Sequence, residues 1–89
     1  MYKLKEGNVV IFKSPHEIEK EYGKFNEDGW IQIDGQSYGI EMHDKYKNIL
    51  YVILRVEGDR VILYDNALKG CPWQKITVGM LKRVYKIKN

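Results

Sequence analysis

The chain has 89 residues and a mass of 10.5 kDa, which allows one hydrophobic core and is too short for two domains of ordinary size. Hydrophobic residues make up 44% of the sequence and charged residues 30%, a composition that excludes a disordered chain. The formal charge of +3 is weak for a dedicated nucleic-acid-binding domain, and the single cysteine excludes an internal disulfide.

The same features predict a cytoplasmic protein without a membrane partner. A lone cysteine suits a reducing compartment. The segment 1–6 has no hydrophobic region of a signal peptide, and the longest apolar run, 49–54, is far shorter than the roughly 20 residues of a membrane-spanning helix. We expect residues 1–89 to form a single domain.

The first predicted elements are a strand and a short helix. The apolar residues 9–12 predict the strand. Ser14 and Glu17 have the spacing of a capping box, with proline at the first helical position, so a helix is expected over 15–22. Gly23 ends this helix.

A hairpin follows. Apolar and polar residues alternate over 30–34, which indicates a half-buried strand. Asp34-Gly35 is a strong signal for a two-residue turn, and the chain returns through 36–38. The segment 40–47 has helical spacing over a short length and is interpreted as a single helical turn or a loop.

The clearest pattern is a central hairpin. Two β-branched runs, 49–56 and 60–64, flank Gly58-Asp59, which fits a type I′ or II′ turn. A two-residue turn fixes the register of the strands. The predicted pairs are Glu57 with Arg60, Val56 with Val61, Leu54 with Leu63, and Ile53 with Tyr64.

The C-terminal part predicts the end of the sheet. A loop is expected over 66–70, a strand over 73–77, a tight turn over 79–81 and a closing strand over 84–87. Together these elements predict a mainly β protein, a small sandwich or barrel of five or six strands with one short helix.

Both faces of the predicted central hairpin are apolar. Alternation places one set of residues on a face that must be core: Leu50, Val52, Leu54, Val56, Val61 and Leu63. The other face carries Tyr51, Ile53, Arg55, Ile62 and Tyr64. A face that met only water would be polar, so something must cover the second face.

Three hypotheses explain this second face. The helix over 15–22 covers it with Ile18 and Tyr22, a second copy of the chain covers it, or another protein docks there. Tyrosine, tryptophan and arginine often contribute most of the energy of such contacts. The predicted protein-binding residues are Tyr51, Ile53, Arg55, Ile62 and Tyr64, followed by Trp30 and Trp73.

Residues with catalytic or metal-binding chemistry are few. Cys71 has no neighbouring base in sequence, and His16 and His43 lie far from it, so we interpret it as a packed thiol. Glu41, His43 and Asp44 are better explained as a solvated turn than as a metal site. The glycines are scattered and form no phosphate-binding motif. We therefore predict no enzyme activity, no metal and no cofactor.

The basic C-terminus supports an alternative function. Small barrels bind single-stranded nucleic acid by stacking bases on aromatic side chains beside a basic groove. The residues that fit this hypothesis are Lys82, Arg83, Tyr85, Lys86 and Lys88. Lysines on an edge strand also serve simply to block pairing with other strands.

A set of residues spread over most of the chain follows a known pattern: Gly7-Asn8-Val9-Val10, Ser14-Pro15, Tyr22-Gly23, Tyr38, Glu41-Met42, Val52, Val56, Arg60-Val61-Ile62-Leu63, Trp73 and Met80-Leu81. In these residues the chain resembles small phage and prophage accessory proteins with SH3-like barrels. With this resemblance, the expected fold is a small SH3-like antiparallel barrel of five to six strands with one short helix. The family's usual glycine before the central strand is replaced by Lys47-Asn48. The resemblance implies a non-enzymatic adaptor or inhibitor that binds and redirects a bacterial host enzyme such as the transcription machinery. It carries over no functional residue.

Overall fold

A computed structural model of the chain describes residues 3–64 and 75–84. These residues form seven strands, two α-helices and one short 3-10 helix. In chain order they are β1 (Val9–Phe12), α1 (Pro15–Tyr22), β2 (Trp30–Ile33), β3 (Gln36–Gly39), α2 (Ile40–Tyr46), β4 (Tyr51–Glu57), β5 (Arg60–Tyr64), β6 (Ile76–Thr77), the 3-10 helix (Val78–Met80) and β7 (Leu81–Arg83).

The strands form two antiparallel sheets. One has five strands in the order β6-β5-β4-β1-β7, and the other consists of β2 and β3. The prediction of a mainly β fold is confirmed. The described residues hold seven strands and two α-helices, so the predicted five or six strands and one short helix are wrong in number. Within these residues no strand pairing joins β6 to β7, the two edges of the five-stranded sheet. Neither described α-helix has the length and apolar character needed to cross a bilayer.

Helix α1 begins at the predicted capping box. The Glu17 N–H donates to the Ser14 hydroxyl at 3.2 Å, and the Ser14 N–H donates to the Glu17 carboxylate at 2.9 Å. Two N–H groups that have no partner within the helix are thereby satisfied. The helix ends at Gly23, which has a positive φ of 100°. Ile18 of this helix is fully buried in the core.

The hairpin of β2 and β3 turns at Asp34 and Gly35, as predicted. Both residues have positive φ, 47° and 84°, which is the conformation of a type I′ turn. At the far end of the pair, Trp30 lies opposite Gly39. A Cβ on Gly39 would stand 2.8 Å from the Trp30 ring, so the ring packs directly on the glycine backbone.

The core lies between the two sheets and the helices. Its centre is aromatic: the rings of Phe12 and Tyr51 meet edge to face with centroids 5.9 Å apart, and Tyr38 and Tyr46 pack on Phe12 from other sides. The Tyr38 hydroxyl donates to the main-chain carbonyl of Lys13, which satisfies a polar group inside the core.

One side-chain amide connects the two sheets. Gln36 of β3 donates to the carbonyl of Lys75 at 2.9 Å, and its amide oxygen accepts from the N–H of Thr77 in β6, also at 2.9 Å. Its side chain therefore pairs with the edge of the five-stranded sheet as a peptide group would.

The central hairpin contains a β-bulge that the sequence did not predict. Next to the turn, the predicted pairs of Glu57 with Arg60 and of Val56 with Val61 are confirmed. Between Ile53 and Arg55 the register shifts by one residue. The last two predicted pairs are therefore wrong, since the structure pairs Ile53 with Leu63 and Val52 with Tyr64.

The bulge exchanges the two faces of β4. Tyr51 and Ile53 are only 1% exposed and pack in the core with Val61 and Leu63. The predicted core position of Val61 and Leu63 is confirmed. The predicted core position of four other residues is wrong, because these are exposed: Leu50, Val52, Leu54 and Val56. The one-residue shift turns Leu50 and Val52, which lie beyond the bulge, to the opposite face. Val56 lies on the turn side of the bulge and still pairs with the buried Val61, so the bulge does not account for its exposure.

The closing strand also differs from the prediction. The strand beside β1 is β7 (Leu81–Arg83), with Leu81 opposite Phe12 and Arg83 opposite Val10. The predicted turn over 79–81 is a 3-10 helix one residue earlier. The predicted strand over 84–87 lies beyond β7, and residues 85–87 are outside the described part, as are residues 73 and 74 of the predicted strand over 73–77.

Candidate protein-binding surface

The outer side of β4 and β5 carries a cluster of exposed apolar side chains. We call it the hairpin surface and define it by Leu50, Val52, Leu54, Ile62 and Tyr64. Leu50, Leu54 and Tyr64 are 52%, 54% and 57% exposed, Val52 is 40% exposed, and Ile62 is half-buried. Single exposed aliphatic residues are ordinary, but a contiguous group on one sheet face is typical of an interaction site.

Charged residues lie at the turn end of this surface. The Arg55 side chain, opposite Ile62 in the ladder, donates to Glu57 at 2.9 Å, and the Lys75 ammonium contacts the same carboxylate at 2.8 Å. The hydrogen bond from Lys75 lowers the pKa of Glu57, with a smaller contribution from Arg55. An apolar centre beside a charged rim is the usual composition of a protein interface.

The structure places the predicted binding residues in different environments. Arg55, Ile62 and Tyr64 lie together on the outer side of the hairpin. Tyr51 and Ile53 are buried, so their predicted place on a docking surface is wrong. Trp30 is partly exposed but belongs to β2 and packs on Gly39.

Trp73, the last predicted binding residue, lies outside the described residues. Sequence reasoning assigned Leu50, Val52 and Leu54 to the core and so missed three of the five residues of the hairpin surface. All three residues belong to the apolar run that the sequence analysis described. No local pattern indicated the β-bulge between Ile53 and Arg55, which shifts the register of β4.

The covering-helix hypothesis assigned Ile18 and Tyr22 to the second face. Ile18 of α1 belongs to the same hydrophobic core as Tyr51 and Ile53. Tyr22 does not take part in this core and remains 37% exposed. The opposite side of β4, which carries Val52, is left exposed by the described residues.

A second surface feature is a groove of about 660 Å³ between the N-terminal segment, α1, the hairpin turn and β7. We call it the basic groove. Its charged lining consists of Lys3, Lys13, Glu21, Lys82 and Arg83, and its apolar lining consists of Leu4, Tyr22, Val56, Val78 and Leu81. It contains two of the residues predicted for nucleic-acid binding, Lys82 and Arg83, whereas Tyr85, Lys86 and Lys88 lie outside the described residues.

Residues that could hold a metal ion are not brought together in the described part. No group of three or more histidine, cysteine, aspartate and glutamate side chains within 3–64 and 75–84 is placed to hold an ion. His43 is half-buried, and burial lowers its pKa despite the neighbouring Asp44 carboxylate. Cys71 lies outside the described residues.

A comparison of the chain with models of protein families, with curated proteins and with solved structures found no match. No residue can therefore be given a role by analogy with a characterised relative. The functional proposals rest on the chemistry of the hairpin surface and the basic groove.

Proposed function

We propose that the protein is a non-enzymatic protein-binding module with an SH3-like fold, and that a partner protein docks on the hairpin surface. The observation that supports this most is the exposure of Leu50, Leu54 and Tyr64 on one side of the hairpin of β4 and β5, with Leu50 directly before β4. Burial of apolar area contributes about 25 cal/mol per Å², so a few such side chains can supply much of a binding energy.

The barrel part of the proposal is supported by the connection between β6 and β7. These strands are the two edges of the five-stranded sheet, yet only the 3-10 helix separates Thr77 from Leu81. Four residue steps span at most about 14 Å. The edges of a flat five-stranded sheet would stand about 19 Å apart, so this sheet must curl strongly.

The mechanism is steric. The apolar side chains bury against a complementary patch of the partner, and the Arg55, Glu57 and Lys75 cluster at the turn end sets the orientation of the complex. By covering a working surface of the partner, such a module inhibits or redirects it. That the partner is a bacterial host enzyme, and that the protein comes from a phage, remain predictions of the sequence resemblance.

The test compares variants that add a charge to exposed apolar positions. Leu54→Asp and Tyr64→Asp change the hairpin surface, and Ile40→Asp makes a comparable change at an exposed isoleucine of α2. Each immobilised protein is exposed to a bacterial lysate, captured proteins are identified by mass spectrometry, and the main one is purified for calorimetry. Circular dichroism shows whether each variant is folded.

We expect the wild type and Ile40→Asp to bind one partner equally, and the two hairpin variants to bind it at least about tenfold more weakly, a loss of about 1.4 kcal/mol. Full binding by a folded Leu54→Asp variant would exclude the hairpin surface as the site. Sedimentation analysis tests self-association, because a dimer that Leu54→Asp dissociates would make a second copy of the chain the occupant.

A further inference from the structure

The basic groove combines excess positive charge with an apolar floor. Lys3, Lys13, Lys82 and Arg83 line it, against a single lining carboxylate, that of Glu21. Between the cations lie the apolar side chains of the floor, which include Leu4, Val56, Val78 and Leu81. This composition is complementary to a ligand that carries both carboxylates and aliphatic groups.

Two lysines of the groove already hold carboxylates of α1, in different ways. Lys82 donates to both oxygens of Glu17 at 2.9 and 3.0 Å, and Glu17 is also the capping residue of the helix. Lys13 contacts Glu21 at 2.6 Å, but Glu21 is half-exposed and has no part in the helix cap. Glu21 therefore occupies a position at Lys13 that another carboxylate can take without disturbing the fold.

The wall of the groove depends on a close approach between Tyr22 and Gly79. A Cβ on Gly79 would overlap the Tyr22 hydroxyl, so the absence of a side chain lets the tyrosine ring lie over the 3-10 helix. The Lys13 ammonium stands 6.0 Å from the centre of this ring. Tyr22 thus joins the cationic and the apolar parts of the groove.

A peptide fits this groove better than a nucleic acid does. Single-stranded nucleic acid binds to rows of aromatic rings on which successive bases stack, and the described lining of the groove offers one ring, Tyr22. An acidic peptide needs only the exchange at Lys13 and gains from the apolar floor.

We infer that the basic groove is a second binding site, for an acidic peptide segment with aliphatic side chains. A carboxylate of the ligand replaces Glu21 at Lys13, Lys3 lies near its other acidic groups, and its aliphatic side chains contact the floor. This site shares no residue with the hairpin surface and does not depend on the function proposed for that surface.

The test measures fluorescence anisotropy of a fluorescein-labelled peptide whose central leucines are flanked by glutamates. Its counterpart with glutamine in place of every glutamate and a labelled oligothymidylate are the comparison probes. Glu21→Gln frees Lys13 and is expected to tighten binding of the acidic peptide roughly threefold, the size of a typical exposed ion pair. Lys13→Gln and Lys3→Gln are expected to weaken it by a similar factor.

The matched control for charge is Glu19→Gln, which removes the same charge from α1 outside the groove lining. We expect it to leave the affinity unchanged, and Leu54→Asp on the hairpin surface likewise. Equal tightening by Glu19→Gln and Glu21→Gln would reduce the effect to net charge and overturn the site. Tighter binding of oligothymidylate, equal binding of the glutamine peptide, or no binding of the acidic peptide would also overturn it.

Discussion

The bulge in β4 makes a sharp prediction about two adjacent residues, Ile53 and Leu54. Ile53 is 1% exposed and Leu54 is 54% exposed. Truncation to alanine removes the same number of carbon atoms at both positions. At about 0.8 kcal/mol per buried CH₂, Ile53→Ala loses about 2.4 kcal/mol of transfer free energy, and the cavity raises this to about 3–4 kcal/mol. Leu54→Ala loses roughly half of the transfer term, about 1 kcal/mol, with no cavity.

Urea unfolding of the wild type and the two variants, followed by tryptophan fluorescence, gives the free energies of unfolding. A regular hairpin without the bulge would place Leu54 in the core opposite Leu63 and Ile53 outside, and would reverse the order of the two losses. Equal losses, or a larger loss for Leu54→Ala, would therefore refute the register described for β4.

Three further substitutions test other contacts. Gly79→Ala forces the Tyr22 side chain aside and is expected to lower the free energy of unfolding by about 1–3 kcal/mol in urea titrations. Tyr38→Phe leaves a main-chain carbonyl in the core without its donor and should cost about 1–2 kcal/mol by the same measurement. Glu17→Gln should lower the free energy of unfolding at pH 7 but not in acid. Burial raises the pKa of Glu17, but hydrogen bonds from the helix cap and from Lys82 outweigh this effect, and the net pKa is lowered.

The sign for Glu17 follows from linkage. A carboxyl group whose folded pKa lies below its ordinary value of 4.5 contributes stability above that pH and loses the contribution as the pH falls through the folded pKa. Urea titrations over a pH series should show the wild-type advantage over Glu17→Gln shrinking below pH 4.5. A wild-type advantage that grows in acid would contradict the lowered pKa of Glu17.

For Gly79→Ala, the control is the same substitution in a Tyr22→Phe background. Because the Tyr22 hydroxyl is then absent, Gly79→Ala should lower the free energy of unfolding by less.

Features that depend on neighbouring residues were predictable from the sequence. The capping box of Ser14 and Glu17 and the turn at Asp34 and Gly35 formed as predicted, because local sterics and hydrogen bonds determine them. The family pattern has a glycine before the central strand, where this sequence has Lys47-Asn48. Asn48 has a positive φ of 66°, a conformation that glycine favours and asparagine tolerates, so this departure keeps the turn.

Features that depend on distant packing were not predictable. The run from Leu50 to Val56 has apolar side chains on both faces, so alternation alone could not say which face the core would take. Pairing of β4 with β1, Val52 with Val9 and Tyr51 with Val10, places Tyr51 inside with Phe12. Because the bulge shifts the register by one residue, β4 can place Tyr51 in the core and still enter the tight turn at Gly58. Three of the five residues of the hairpin surface were consequently assigned to the core.

The bond between Thr77 and Gln36 has a consequence for how the protein opens. The acceptor of the Thr77 amide proton belongs to a side chain from the other sheet, not to a neighbouring strand. Exchange of this single proton with solvent deuterium therefore reports separation of the sheets, while protons within each ladder report the melting of that ladder. A side-chain amide offers a donor and an acceptor side by side, whereas an ionised carboxylate offers only acceptors. Glutamate at position 36 would therefore set its carboxylate against the Lys75 carbonyl at neutral pH and weaken this contact between the sheets.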